Sequence, residues 1–81
     1  MATNHYTDML SEVLVFKTNI STERQLESVS TILSSVQNII QWNVDRKDID
    51  NVLRITCEQL SPNTIIEALR KAGFECEELP D

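Results

Sequence analysis

Two amphipathic helical stripes, each set between strand-like runs, constrain this chain more than any other feature. The first run, residues 12–18 (EVLVFKT), is rich in β-branched and aromatic residues. Period-two alternation places Leu14, Phe16 and Thr18 on one face and Val13, Val15 and Lys17 on the other. A helix follows. Ser21 or Thr22 can cap it, and Thr22-x-x-Gln25 has the spacing of a capping box. Leu26, Val29, Ile32, Leu33 and Val36 recur at helical spacing, and the stripe predicts an end near Gln37 or Asn38. Residues 39–45 (IIQWNVD) read as a second strand with Trp42 and Val44 facing inward. After the polar turn RKDIDN, residues 52–58 (VLRITCE) make a third strand, with Leu53, Ile55 and Cys57 alternating with Val52, Arg54 and Thr56. A short polar turn between two such runs predicts an antiparallel hairpin.

The second helix has both termini written into it. Ser61 is its N-cap, Pro62 occupies the first helical position, and Gly73 stands where a left-handed residue ends a helix. Ile65, Ile66, Leu69 and Ala72 form its apolar face, while Arg70 and Lys71 complement the negative C-terminal end. Phe74, Cys76 and Glu78 then share one face of a short last strand. The order β-α-β-β-α-β, with right-handed crossovers, yields an α+β fold of ferredoxin-like type. Its four-stranded antiparallel sheet has the order 4-1-3-2, and both helices lie on one face. Residues 12–79 form a single domain, 1–11 a flexible lead-in and 80–81 a tail.

Composition excludes several functions. The chain has 81 residues, one Gly and one His. One Gly excludes a glycine-rich phosphate loop, and one His excludes a multi-histidine metal site. The longest apolar run, Val13 to Phe16, is too short for a membrane span or a secretory core. A formal net charge of −6 repels phosphate backbones and anionic lipid, so neither nucleic acid nor membrane is an expected partner. Two cysteines without a targeting segment fit a reducing, cytoplasmic setting.

The segments EVLVFKTNI, NIIQWNVD and LSPNTIIEALRKAGFEC resemble the heavy-metal-associated (HMA) domain family, above all in IIEALRKAGFE. The resemblance covers roughly residues 12–79 and implies the same fold. That family carries Met-x-Cys-x-x-Cys between its first strand and first helix, where two thiolates hold Cu(I) or Zn(II). Here Ile20 takes the place of the Met, and Thr22 and Gln25 those of the two cysteines. Phe74 takes the place of the family's aromatic residue beside the loop.

Other candidate sites each have a plainer reading. Cys57 and Cys76 are either a relocated thiol pair or two buried small hydrophobes. In the expected sheet they stand two strand spacings apart, about 9.6 Å, which is too far for a disulfide. His5 with Met1 and Met9 offers only a weak, unframed ligand set. Asp45, Asp48, Asp50 and Asn51 lack calcium-loop spacing and suit a tight turn. Glu75, Glu77, Glu78 and Asp81 either steer a basic partner or protect an edge strand, and Arg24 is an exposed first-turn residue or a partner contact. No base is positioned to activate either thiol, so no enzyme is expected.

The resulting expectation is a non-catalytic HMA-like domain without a cofactor, serving protein interaction or regulation. Its partner is a protein, a second copy of the chain included. The uncovered sheet face would carry the contact through Val13, Val15, Lys17, Val52, Arg54 and Thr56. The alternative expectation is soft-metal binding, or an accessory role in metal-ion transport, through an unconventional site.

Overall fold

The computed structural model describes residues 11–80. Met1, His5, Met9 and Asp81, with nearly all of the expected lead-in, lie outside the described residues. The elements are β1 (Ser11–Thr18), α1 (Glu23–Ser34), β2 (Ile39–Asp45), β3 (Val52–Glu58), α2 (Pro62–Lys71) and β4 (Cys76–Glu78). All pairings in the sheet are antiparallel, in the order β2-β3-β1-β4. This is the ferredoxin-like βαββαβ fold that the element order predicts.

Alternation in the two central strands decides which side chains are buried. Leu14, Phe16 and Thr18 of β1 and Leu53, Ile55 and Cys57 of β3 all point into the core. Val29 and Leu33 of α1 and Ile65 and Leu69 of α2 close it from the other side. Phe16, Leu53, Ile55, Ile65 and Leu69 are wholly inaccessible to solvent. Each contributes about 1.5–3 kcal/mol by leaving water. Trp42 and Val44 also pack on this core, but only half-buried, because β2 is the edge strand of the sheet among the described residues.

Four expectations need correction. Helix α1 stops at Ser34, short of Gln37. Its last carbonyls are taken up early: the Ser34 and Ser35 hydroxyls donate to Thr31 and Ile32 at 2.7 and 2.8 Å, and Val36 N–H donates to Leu33 O at 3.0 Å. These three-residue bonds tighten the turn and end the helix. Ala72 is exposed, because it is the C-cap of α2 rather than part of its packed stripe. Phe74 precedes β4 instead of opening it. Its N–H donates to Leu69 O and that of Gly73 donates to Arg70 O, the paired bonds of a Schellman ending, with Gly73 at φ +94°. The fourth correction concerns Val52, described below.

Candidate functional site

Strands β1 and β2 both run antiparallel to β3, so they finish at the same end of the sheet. Strand β4 runs antiparallel to β1 and starts at that end. Three connections therefore gather there: residues 19–22, 46–51 and 72–75. The loop after β1, where the resemblance to the HMA family puts a metal site, therefore lies beside the hairpin turn and the approach to β4.

Thr18 joins two of the connections. It is the one buried polar residue among those described. Its Oγ1 donates to Asn51 O at 2.6 Å and accepts from Ile20 N–H at 3.1 Å, while its own N–H donates to Asp50 O at 3.0 Å. The third connection is tied in by Asn19, whose Oδ1 accepts from Glu75 N–H at 2.9 Å. Two exposed ion pairs border the region, Lys17–Asp50 and Arg46–Glu23, each at 3.8 Å. Pairs of this kind contribute at most about 1 kcal/mol, so the hydrogen bonds of Thr18 and Asn19 set the geometry.

Thr22 and Gln25 are already occupied. Thr22 Oγ1 accepts from Gln25 N–H at 3.1 Å. Gln25 Oε1 accepts from Ser21 N–H at 2.8 Å and Thr22 N–H at 3.0 Å. The pair is the capping box of α1, and it satisfies donors that a helix start otherwise leaves open. Neither group offers a soft donor. Ile20 is completely buried beneath the loop, and Phe74 packs half-buried against the core. Arg24 is exposed in the first turn of α1.

Cys57 and Cys76 do not converge. Cys57 lies opposite Glu12 and Cys76 opposite Thr18, at the two ends of β1. The sheet order alone implies two strand spacings between them. The register adds about 20 Å along the strand, so their separation is about 22 Å. Both are buried. Burial pushes the Cys57 thiol up, with the negative charge of Glu12 acting in the same direction. Burial pushes Cys76 up to about 11, against a smaller opposing pull from Arg70. In both, burial disfavours the thiolate, the form in which a cysteine acts as nucleophile or metal ligand.

The hairpin acids are turn formers. Asp45 Oδ1 accepts from Lys47 N–H at 3.1 Å and Asp48 Oδ1 from Asp50 N–H at 2.9 Å. Asn51 completes the turn in the left-handed region at φ 44°, a conformation that Asn tolerates. Among the described residues, no three His, Cys, Asp or Glu side chains are grouped to hold a metal ion. Glu75, Glu77 and Glu78 are exposed around β4.

The register assembles the outer sheet face. Val13 lies opposite Thr56 and Val15 opposite Arg54. Val13 is 51% exposed, Val15 and Thr56 are half-buried, and Lys17 and Arg54 are exposed. Val52 is only 5% exposed and does not belong to this surface. Thr18 holds Asp50 and Asn51, the two residues before Val52, against the end of β1. Alternation marks Val52 as outward, but alternation alone does not decide how far a side chain is covered. Conversely, Gln41 and Asn43 join the face beside Thr56 and Arg54, around a shallow depression of about 290 Å³. The inward reading of Trp42 and Val44 already implies this placement, because the β-bulge between Ile39 and Gln41 lies ahead of residues 41–45.

No protein-family model matches the chain, and no curated protein matches it by sequence. Solved structures do match in fold. Oxidized MerP from Ralstonia metallidurans CH34 superposes with a TM-score of 0.73 at 12% identity, over 86% of this chain and 99% of that one. The yeast copper transporter domain CCC2A, in apo and Cu(I)-loaded states, gives 0.71 at 17% identity over 85% and 96%. The N-terminal domain of ZntA in its Zn(II) form gives 0.70 at 15% identity over 82% and 89%. The chain thus shares the HMA-like fold of these structures.

Proposed function

We propose that this domain is a non-catalytic HMA-like module for protein interaction or accessory regulation. In this reading its first loop takes no soft metal ion, and it needs no cofactor. The observation that carries it is the capping box: the two side chains at the expected ligand positions, Thr22 and Gln25, are hard donors committed to the start of α1. The contact surface is the outer sheet face, now defined by Val13, Val15, Lys17, Arg54 and Thr56. It takes a protein partner, with nucleic acid and membrane disfavoured by the charge of −6. Among the described residues no helix is long and apolar enough to cross a membrane. The proposed setting is the cytoplasm, which suits two unpaired thiols.

The metal-handling names of the similar structures favour a second reading, soft-metal binding or transport assistance at an unconventional site. Competition with bathocuproine under reducing conditions separates the two. The first reading expects no stoichiometric Cu(I) retention by the native chain and gain of binding by the Thr22→Cys, Gln25→Cys double variant. Retention by the native chain that disappears in Cys57→Ala or Cys76→Ala would establish the second. The surface is tested by Val15→Glu, which should keep the helical content and lose partner capture.

A further inference from the structure

The two edges of the sheet are treated differently. Strand β4 has three residues, carries Glu77 and Glu78, and is followed by Pro80. Short length, charge and proline are the devices that keep an edge from pairing. Strand β2 has seven residues and none of Lys, Arg, Pro or Gly. Its bulge lies between Ile39 and Gln41, which leaves residues 41–45 as a regular open edge. Alongside it, between α1 and β2, runs a groove of about 430 Å³ lined by Leu33, Val36, Ile39, Ile40 and Trp42 with two small serines, Ser30 and Ser34. Ile40 is 56% exposed at this edge.

We infer that this edge pairs antiparallel with β2 of a second copy of the chain, with Asn43 opposite Asn43, making one eight-stranded sheet. Three features select a second copy. In this register Trp42 faces Val44 of the second copy twice over, extending the apolar side of the sheet across the join. Gln41 faces Asp45 twice on the outer side, a neutral donor against an acid. Arg54 lies one strand further in, beside Asn43. Among the described residues Arg54, which is exposed, makes no ion pair, and Asp45 uses its Oδ1 on Lys47 N–H and meets no cation. The register brings Arg54 within about 12 Å, Cα to Cα, of Asp45 of the second copy, a span that two extended side chains bridge. A two-fold axis repeats the contact. The free cation of the outer face thereby meets the unpaired acid of the edge strand in two equivalent pairs.

Sedimentation of the full chain from the micromolar to the millimolar range tests this. A monomer–dimer equilibrium is expected, with amide exchange along residues 41–45 slowing as concentration rises. Ile40→Lys sets a charge against Arg46 of the second copy and should leave only monomer with an unchanged circular dichroism spectrum. Arg54→Glu should weaken the dimer by about tenfold, and adding Asp45→Arg should restore it. A monomer throughout, or a dimer that survives Ile40→Lys, overturns the assignment. A dimer abolished by Val15→Glu but not by Ile40→Lys overturns it too, and transfers self-association to the sheet face.

Discussion

Gln25 Oε1 accepts a hydrogen bond from the backbone N–H of Thr22 at 3.0 Å, while Thr22 Oγ1 accepts one from the N–H of Gln25 at 3.1 Å. The reciprocity turns the loop after β1 into a helix start that closes on itself. Side chains that hold their own backbone in this way are fixed in the geometry of the cap, and both offer hard oxygen rather than soft sulfur.

Thr22→Ala should cost about 1 kcal/mol of stability, the usual effect of deleting an N-cap hydroxyl. Urea unfolding of Thr22→Ala, Gln25→Ala and the double variant forms a cycle. The two losses should be less than additive, because either substitution already breaks the box. Strict additivity would mean that the two bonds act independently.

Thr18→Val keeps the shape of a buried side chain but removes the bonds to Asn51 and Ile20. The carbonyl of Asn51 and the N–H of Ile20 then lose their partner, and a loss of about 1–3 kcal/mol is expected. The signature should be local as well as global. Amide exchange should speed up in residues 46–51, since Thr18 ties that turn to β1. A loss confined to global stability, with the turn equally protected, would contradict this role.

Gly73→Ala should destabilise the domain by about 1–2 kcal/mol, the cost of a left-handed backbone for an L-residue. No atom lies within 4 Å of an added Cβ, so the penalty is conformational rather than steric. Gly73→Asn should recover part of it, because Asn tolerates this region. Thermal unfolding of the two variants side by side decides the matter; equal losses would point to packing instead.

The thiols define an alkaline limit. Cys76 is pushed up to about 11 in the folded chain from an ordinary value of 9.0. Between those values the unfolded chain releases a proton that the folded one keeps. The contribution is therefore fully present below pH 9.0 and declines as pH rises toward 11. Cys57, also raised, acts in the same direction. Stability measured from pH 8 upward should fall less steeply in Cys76→Ala than in the native chain. Ellman's reagent at neutral pH should react with neither thiol until denaturant is added.

Local chemistry was enough to determine the elements of this protein. The Thr22–Gln25 box, the Ser61–Pro62 start and the Gly73 ending are contacts between residues a few positions apart, so they can be read along the chain. The strand faces of β1 and β3 follow from alternation in the same way, and their order then leaves one ferredoxin-like arrangement. Tertiary structure decided what depends on register and on coverage. Cys57 and Cys76 share the core face, yet pairing opposite Glu12 and Thr18 sends them to opposite ends of β1. Val52 has an outward position by alternation yet is only 5% exposed, at the point where Thr18 ties the preceding residues Asp50 and Asn51 to β1. Ile40 is the extra residue of a bulge, and it leaves the edge of β2 with an exposed apolar side chain. In each case the deciding contact joins residues far apart in the chain, and short-range periodicity carries no information about which distant backbone lies alongside.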